Sequence, residues 1–177
     1  MDTSKQYDDV IRKCRSLFTA KLKDYGASWR IFRLSSLTDQ IFIKANRIRT
    51  IENTGIQLVE DDILSEFAGI LNYSVIALIQ NELGTGQDGS LEFSKAAELY
   101  DKFVLQAKDL MTKKNHDYSE SWRQMRISSI TDLILVKILR LKQIEDNSGQ
   151  VLVSEGADAN YLDIINYCVF ASIRLTE

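Results

Sequence analysis

Apolar residues recur at helical spacing over about residues 4–23, at Val10, Ile11, Cys14, Leu17, Phe18 and Leu22, and predict a first helix. Asp24-Tyr25-Gly26 ends it, with Gly26 suited to a left-handed C-terminal cap. A polar loop over residues 28–36 follows. Leu37, Ile41, Lys44, Ile48 and Ile51 then step by four, three, four and three, a second helix for which Ser35 or Ser36 is a suitable N-cap. Asn53-Thr54-Gly55 closes it. The acids Glu60-Asp61-Asp62 suit the start of a third helix, which runs to about residue 80. Residues 84–90 are a Gly-rich linker. Beyond them the scheme repeats, with a fourth helix to about residue 115, a loop to 129, a fifth helix over 130–145, a turn at 146–149 and a sixth helix over about 158–174. Residues 56–59 and 151–153 read as extended but are too short to change the class. The expectation is an all-α protein. Two three-helix repeats, residues 1–83 and 91–177, pack as an intrachain pseudo-twofold bundle with a shared core, since neither alone buries both faces of its helices.

The repetition extends to polar positions. Lys21-Leu22-Lys23-Asp24-Tyr25-Gly26-Ala27-Ser28-Trp29-Arg30 is echoed 93 residues later by Lys114-Asn115-His116-Asp117-Tyr118-Ser119-Glu120-Ser121-Trp122-Arg123. At the same separation Arg33 matches Arg126, Thr38-Asp39 matches Thr131-Asp132, Lys44 matches Lys137 and Arg47 matches Arg140. After a one-residue slip, Asn72-Tyr73 matches Asn166-Tyr167. A core is kept by any residue of suitable size. Agreement at Asp, Ser, Trp, Arg, Lys and Asn therefore reflects either a shared polar network or a shared ligand site.

Lys44 and Lys137 fall where the seams of their helices ask for apolar residues, and a bare ammonium there is costly. Each should meet a carboxylate, carbonyls or a ligand phosphate, with Arg47 or Arg140 three residues on along the same face. A structural ion pair or a lysine reaching out to solvent is the plainer account. Trp29 and Trp122 read as core anchors for their loops, or as platforms for a nucleobase with Arg30 and Arg33 near its phosphates. The third helices offer acids. Asp62, Glu66, Gly69 and Tyr73 share one face, where the second repeat has Gly156, Asn160, Asp163 and Tyr167. With Asp39 or Asp132, these acids could hold magnesium, whose shell phosphates would complete. Paired Asp62 and Glu66 make the first repeat the preferred metal side, with Asp163 the acid of the second.

Composition narrows the partners. With 45% hydrophobic and 27% charged residues, the chain is of ordinary soluble type. A net charge of −3 disfavours a nucleic-acid polymer but leaves free nucleotides open. No apolar run is long enough for a membrane span, and the first residues lack a signal-peptide core. Cys14 and Cys168 stand apart without metal or redox spacing, which suits a reducing cytoplasm. His116 is the only histidine, reads as a surface residue, and leaves little for zinc or Ser-His-Asp chemistry.

Two copies of Lys-x-x-Asp-Tyr-x-x-Ser-Trp, each followed by Asp, Lys and Arg on one helix and Asn-Tyr on the next, resemble the nucleotide-modification-associated helical domain family of phages and bacteria. More distantly the chain resembles the all-α MazG-like and dimeric dUTPase pyrophosphohydrolases, which bind magnesium through Glu-x-x-Glu and Glu-x-x-Asp helices. Asp163-x-x-Asn166 is a degraded form of the second element, the first repeat has Gly69-x-x-Asn72 there, and the first element is absent. The resemblance implies binding of a nucleotide, nucleoside triphosphate or other phosphorylated small molecule, with magnesium-dependent pyrophosphate release as the associated reaction. It also makes a homo-oligomer conceivable. The alternative is a non-catalytic helical scaffold whose repeated polar residues form a structural network.

Overall fold

Six long helices and two short 3-10 turns make up the molecule, described over residues 2–177 by a computed structural model. In order they are α1 (Thr3–Tyr25), a turn at Ser28–Ile31, α2 (Leu34–Thr54), α3 (Ile63–Leu83), α4 (Phe93–Tyr118), a turn at Ser121–Gln124, α5 (Ile127–Asp146) and α6 (Ala157–Thr176). The helices and 3-10 turns together take up 79% of the chain, and residues 56–59 and 151–153 form no strand. α3 and α6 pack together in the middle, with α2 and α5 on one side and α1 and α4 on the other. One cluster of buried apolar side chains draws on all six helices.

Position explains composition. α3 is covered on both sides and so is apolar nearly all round, from Phe67 through Ile70, Leu71, Val75 and Leu78. It is long and apolar enough to cross a membrane, but most of that stretch is buried inside the protein. The outer helices carry single apolar stripes, such as Tyr7, Cys14, Phe18 and Leu22 on α1.

Some local expectations change. α2 starts at Leu34, so Ser35 and Ser36 lie inside its first turn, and Arg33 holds the N-cap position without a side-chain bond. Gly26 has φ 62° but ψ −161°, outside the left-handed helical region, while its N–H still closes onto the Leu22 carbonyl at 2.9 Å. The second repeat makes the same exit with Ser119 and Glu120, both at positive φ (51° and 53°), a conformation uncommon for residues with a side chain.

The polar echo is in large part a ladder of reciprocal bonds between the repeats. Tyr7 donates its hydroxyl to Asn166 Oδ1 (2.8 Å) and Tyr100 donates to Asn72 Oδ1 (2.7 Å). Each Asn amide then donates to a carbonyl of its own repeat, Asn72 to Cys14 (3.1 Å) and Asn166 to Ala107 (2.9 Å). Asp39 pairs with Lys142 (3.3 Å) and Asp132 with Arg49 (3.9 Å). Asp8 pairs with Lys108 and Asp101 with Arg15, both at 2.7 Å. Asp39, Asp132 and Asn166, expected as metal or ligand residues, are thus each joined to a partner on the opposite repeat. Asn72 is joined in the same way, although it also reaches a pocket wall.

Thr38 and Glu145, at 2.5 Å, and Thr131 and Glu52, at 2.8 Å, form one more reciprocal pair. The Thr38 hydroxyl has one proton but faces two acceptors, Glu145 and the Leu34 carbonyl at 3.0 Å. Burial pushes the carboxyls of Glu52 and Glu145 up, the threonine bonds offset part of this, and Asp132, Asp39 and Asp146 add to it. An acid whose folded pKa is raised contributes stability below its unfolded value and loses it as pH rises through the folded value. At neutral pH both glutamates therefore work against folding. Glu52→Gln and Glu145→Gln, whose amides can donate to the threonine oxygen, should each raise Tm at pH 7 by about 1–2 °C, a small gain because both side chains are partly solvated. Melting curves across pH check this. The gain should shrink toward acid, and a loss of stability at neutral pH would contradict the assignment.

Candidate functional site

The first repeat opens a pocket of about 640 Å³ between α1, the turn Ser28–Ile31, α2 and α3. That volume is in the range of small-molecule sites. Phe18, Tyr25, Trp29, Phe32 and Tyr73 give it aromatic walls, and Lys21, Lys44, Asp61 and Glu66 supply its charge. The 3-10 turn places Trp29 half-buried, its ring tilted against Phe18 at 6.1 Å. Arg30 and Gln80 fasten that turn from behind. Arg30 bonds the Gln80 side chain and the Gly84 carbonyl, while the Gln80 amide donates to the Arg30 and Phe32 carbonyls, both at 2.8 Å. The linker adds one bond, from the Gly86 N–H to the Arg30 carbonyl at 2.7 Å.

Charge is unevenly balanced at the deep end. Glu66 is buried and takes Arg47 on Oε1 at 2.9 Å, leaving Lys44 at 3.4 Å from Oε2. Arg47 also donates to the carbonyls of Asp61 (2.7 Å) and Val59 (3.3 Å), so it holds the segment ahead of α3. Lys21 has no ionic partner among the described residues. Lys44 lies across Gly69, where an added Cβ would come within 2.9 Å of its Cε, so a side chain there must displace the lysine.

The second repeat is built differently at the same place. Asp163 stands where the first repeat has Gly69, and its carboxylate receives Lys137 at 2.8 Å and Lys114 at 2.6 Å. Burial works against the charge on Lys114, but the bond to Asp163 and its negative charge hold the ammonium above the ordinary lysine value. Trp122 is buried and stacks on Phe170 at 4.3 Å with the rings 7° from parallel. Asn160 replaces Glu66 and bonds the Gly156 carbonyl at 2.9 Å. A separate opening of about 770 Å³ runs along the end of α5 and residues 150–155, with Lys137 and Arg140 on its wall.

The expected residues thus divide. Tyr25, Ser28, Trp29, Lys44, Glu66 and Asn72 line the first pocket. Arg30 is turned away into its loop contacts, Asp24 and Arg33 are exposed, and Arg47 reaches the site only through Glu66. In the second repeat Trp122 is a core anchor and Arg123 bonds Thr3, Gln6, Glu120 and Glu177. Ser121 closes onto the Tyr118 carbonyl, Asp117 faces an exposed His116, and Tyr118 and Arg126 point to solvent. Lys21, Phe18, Phe32, Gly69 and Tyr73 also line the first pocket, although none of them stood among the expected ligand residues. Lys21 did open the repeated stretch.

The candidate metal ligands do not gather. Asp62 caps α3 by accepting the Ser65 N–H at 2.7 Å, and the Ser65 bonds hold its carboxyl below the usual carboxylate range. Glu66 and Asp163 are each bracketed by two cations, and Asp39 and Asp132 lie at the seam between repeats. Among the described residues no three His, Cys, Asp or Glu come together as a metal cage. The donor set therefore does not fit a magnesium ion held by the protein alone.

Comparison with known families matches residues 21–81 and 114–175 to nucleotide modification associated domain 1. No curated protein and no solved structure matches the chain. The two matched segments take in the whole of both loop signatures and all four of the helices that follow them, so the chain belongs to the nucleotide modification associated domain 1 family, in a tandem form.

Proposed function

We propose that the pocket of the first repeat binds a nucleotide. The observation that carries this is the joining, in one cavity, of aromatic faces with two lysines, one without an ionic partner and one held to Glu66 only at 3.4 Å. A nucleobase suits the first and a phosphate the second. The family name, which points to nucleotide modification, supports the same ligand class. Binding, rather than pyrophosphate hydrolysis, is the activity this geometry favours, because Glu66, the candidate metal ligand in the pocket, is already paired with Lys44 and Arg47. Magnesium enters only as a companion of the nucleotide. The scaffold reading accounts for Thr38, Asp39, Asn72 and their counterparts, yet it leaves the pocket and Lys21 without a role.

The chain has two tryptophans, of which only Trp29 lines the pocket. In a Trp122→Phe variant, emission reports on Trp29 alone. Adding nucleotides with and without magnesium should quench or shift that emission in a saturable way. A bound ligand at a hundred times its Kd should stabilise the wild type by about 2.7 kcal/mol, or about 5–10 °C in Tm. Trp29→Ala should abolish most of the thermal shift. A panel of nucleotides that moves neither signal would remove this reading.

A further inference from the structure

We infer that the ligand of the first repeat carries a single terminal phosphoryl group, seated over Gly69 between Lys21 and Lys44, so that nucleoside monophosphates are preferred to triphosphates. The inference rests on the nucleotide reading of the pocket. Its own ground is the second repeat, which holds an image of the occupied site. There Asp163 projects from the position of Gly69, and its carboxylate accepts from Lys114 at 2.6 Å and Lys137 at 2.8 Å. Lys21 and Lys44 are the counterparts of these two lysines and line one pocket with Gly69. The first repeat thus keeps both cations but places its carboxylate one turn away, at Glu66, where Arg47 shares it with Lys44 and Lys21 is left without an anion.

Space and charge agree on what fills the gap. The Gly69 face points at the Lys44 stem, with Nζ only 3.2 Å from where a Cβ would sit, so an anion above it meets the ammonium directly. Glu66 does not saturate that ammonium, since Arg47 holds its other oxygen at the shorter distance of 2.9 Å. One phosphoryl group brings about −1.5 to −2 charges at pH 7, which two lysines match. A triphosphate would press further negative charge toward Glu66 and Asp61, which border the same cavity. The aromatic walls are left to the base.

The test is calorimetric titration of wild type, Lys21→Met and Gly69→Asp with the common nucleoside 5′-monophosphates, their triphosphates with and without magnesium, and the parent nucleosides. We expect one monophosphate bound per chain, the nucleoside weaker by about tenfold or more, and the triphosphate no tighter than the monophosphate. Lys21→Met, at an exposed position, should remove most of the phosphate advantage, read as the ratio of monophosphate to nucleoside affinity within the variant. Gly69→Asp should do the same by supplying the anion internally, with Tm unchanged or higher. A triphosphate at least tenfold tighter than the monophosphate, or a phosphate advantage that survives Lys21→Met, would overturn the inference while nucleotide binding itself stood. Failure of every nucleoside and nucleotide to bind would overturn the reading of the pocket and this inference with it.

Discussion

Asp163→Ala should lower the stability of the protein by about 3 kcal/mol, since it strips a buried ion pair of one member and leaves the other uncompensated. For a chain of this length that is about 6–12 °C in Tm. Lys137 is the reason for the size of the effect. Its side chain is only 11% exposed, whereas that of Lys114, at 44%, can swing into water. Glu66→Ala should cost less, because Lys44 and Arg47 keep 29% and 24% of their side chains exposed. Replacing the buried pair together, as Asp163→Leu with Lys137→Met, should recover at least half of the loss. The raised pKa of Lys114 sets the pH window. A lysine held above its unfolded value contributes stability below that unfolded value and loses it as pH rises through the folded one. The gap between wild type and Asp163→Ala should therefore persist at neutral pH and narrow only in strong alkali. Chemical and thermal unfolding of wild type and the three variants decides it. Equal losses for Glu66→Ala and Asp163→Ala would show that the second cluster has no special structural weight.

Asn72→Leu and Asn166→Leu combined should cost about 4–6 kcal/mol, because each leaves a buried tyrosine hydroxyl without its acceptor. Tyr7 and Tyr100 are both fully buried, so water cannot replace the lost partner. The asymmetry between losing one partner and losing both gives a sharper reading. Asn72→Leu alone should be more harmful than Asn72→Leu with Tyr100→Phe, in which no orphaned hydroxyl remains. Urea unfolding of the four corners of that cycle measures the coupling, and simple additivity would mean that the 2.7 Å bond contributes little.

The helices were legible because the outer four show one apolar stripe each and the inner two are apolar over most of their surface. Their ends were not. With no proline in the chain and arginines at the N-cap positions of α2 and α5, the local cues that mark a start are missing. The repeat identified polar residues that matter but could not sort them. A twofold arrangement makes joinery and ligand contacts echo equally, since Asp39 and Lys44 recur with the same fidelity although one meets the other repeat and the other lines the pocket. The sorting lies where the echo fails. Gly69 against Asp163 and Glu66 against Asn160 separate a lysine pair that shares a carboxylate from one in which Lys21 has none. In the sequence these changes read only as a carboxylate displaced by one helical turn, because the lysine reaching over from α2 was not visible.

The reciprocal bonds have a consequence for how such a molecule can change over time. Tyr7 meeting Asn166 and Tyr100 meeting Asn72 is the pattern that two separate identical chains would make about a symmetry axis. In a pair of separate chains, a mutation that fills a cavity fills it on both sides at once, and one that opens a cavity removes the same ion pair twice. Joining the chains through residues 84–90 lifts that constraint. One half is then free to keep Asp163 as an internal brace, while the other keeps Gly69 and an open pocket. The brace lets the half with the open pocket remain loosely satisfied without endangering the fold of the whole.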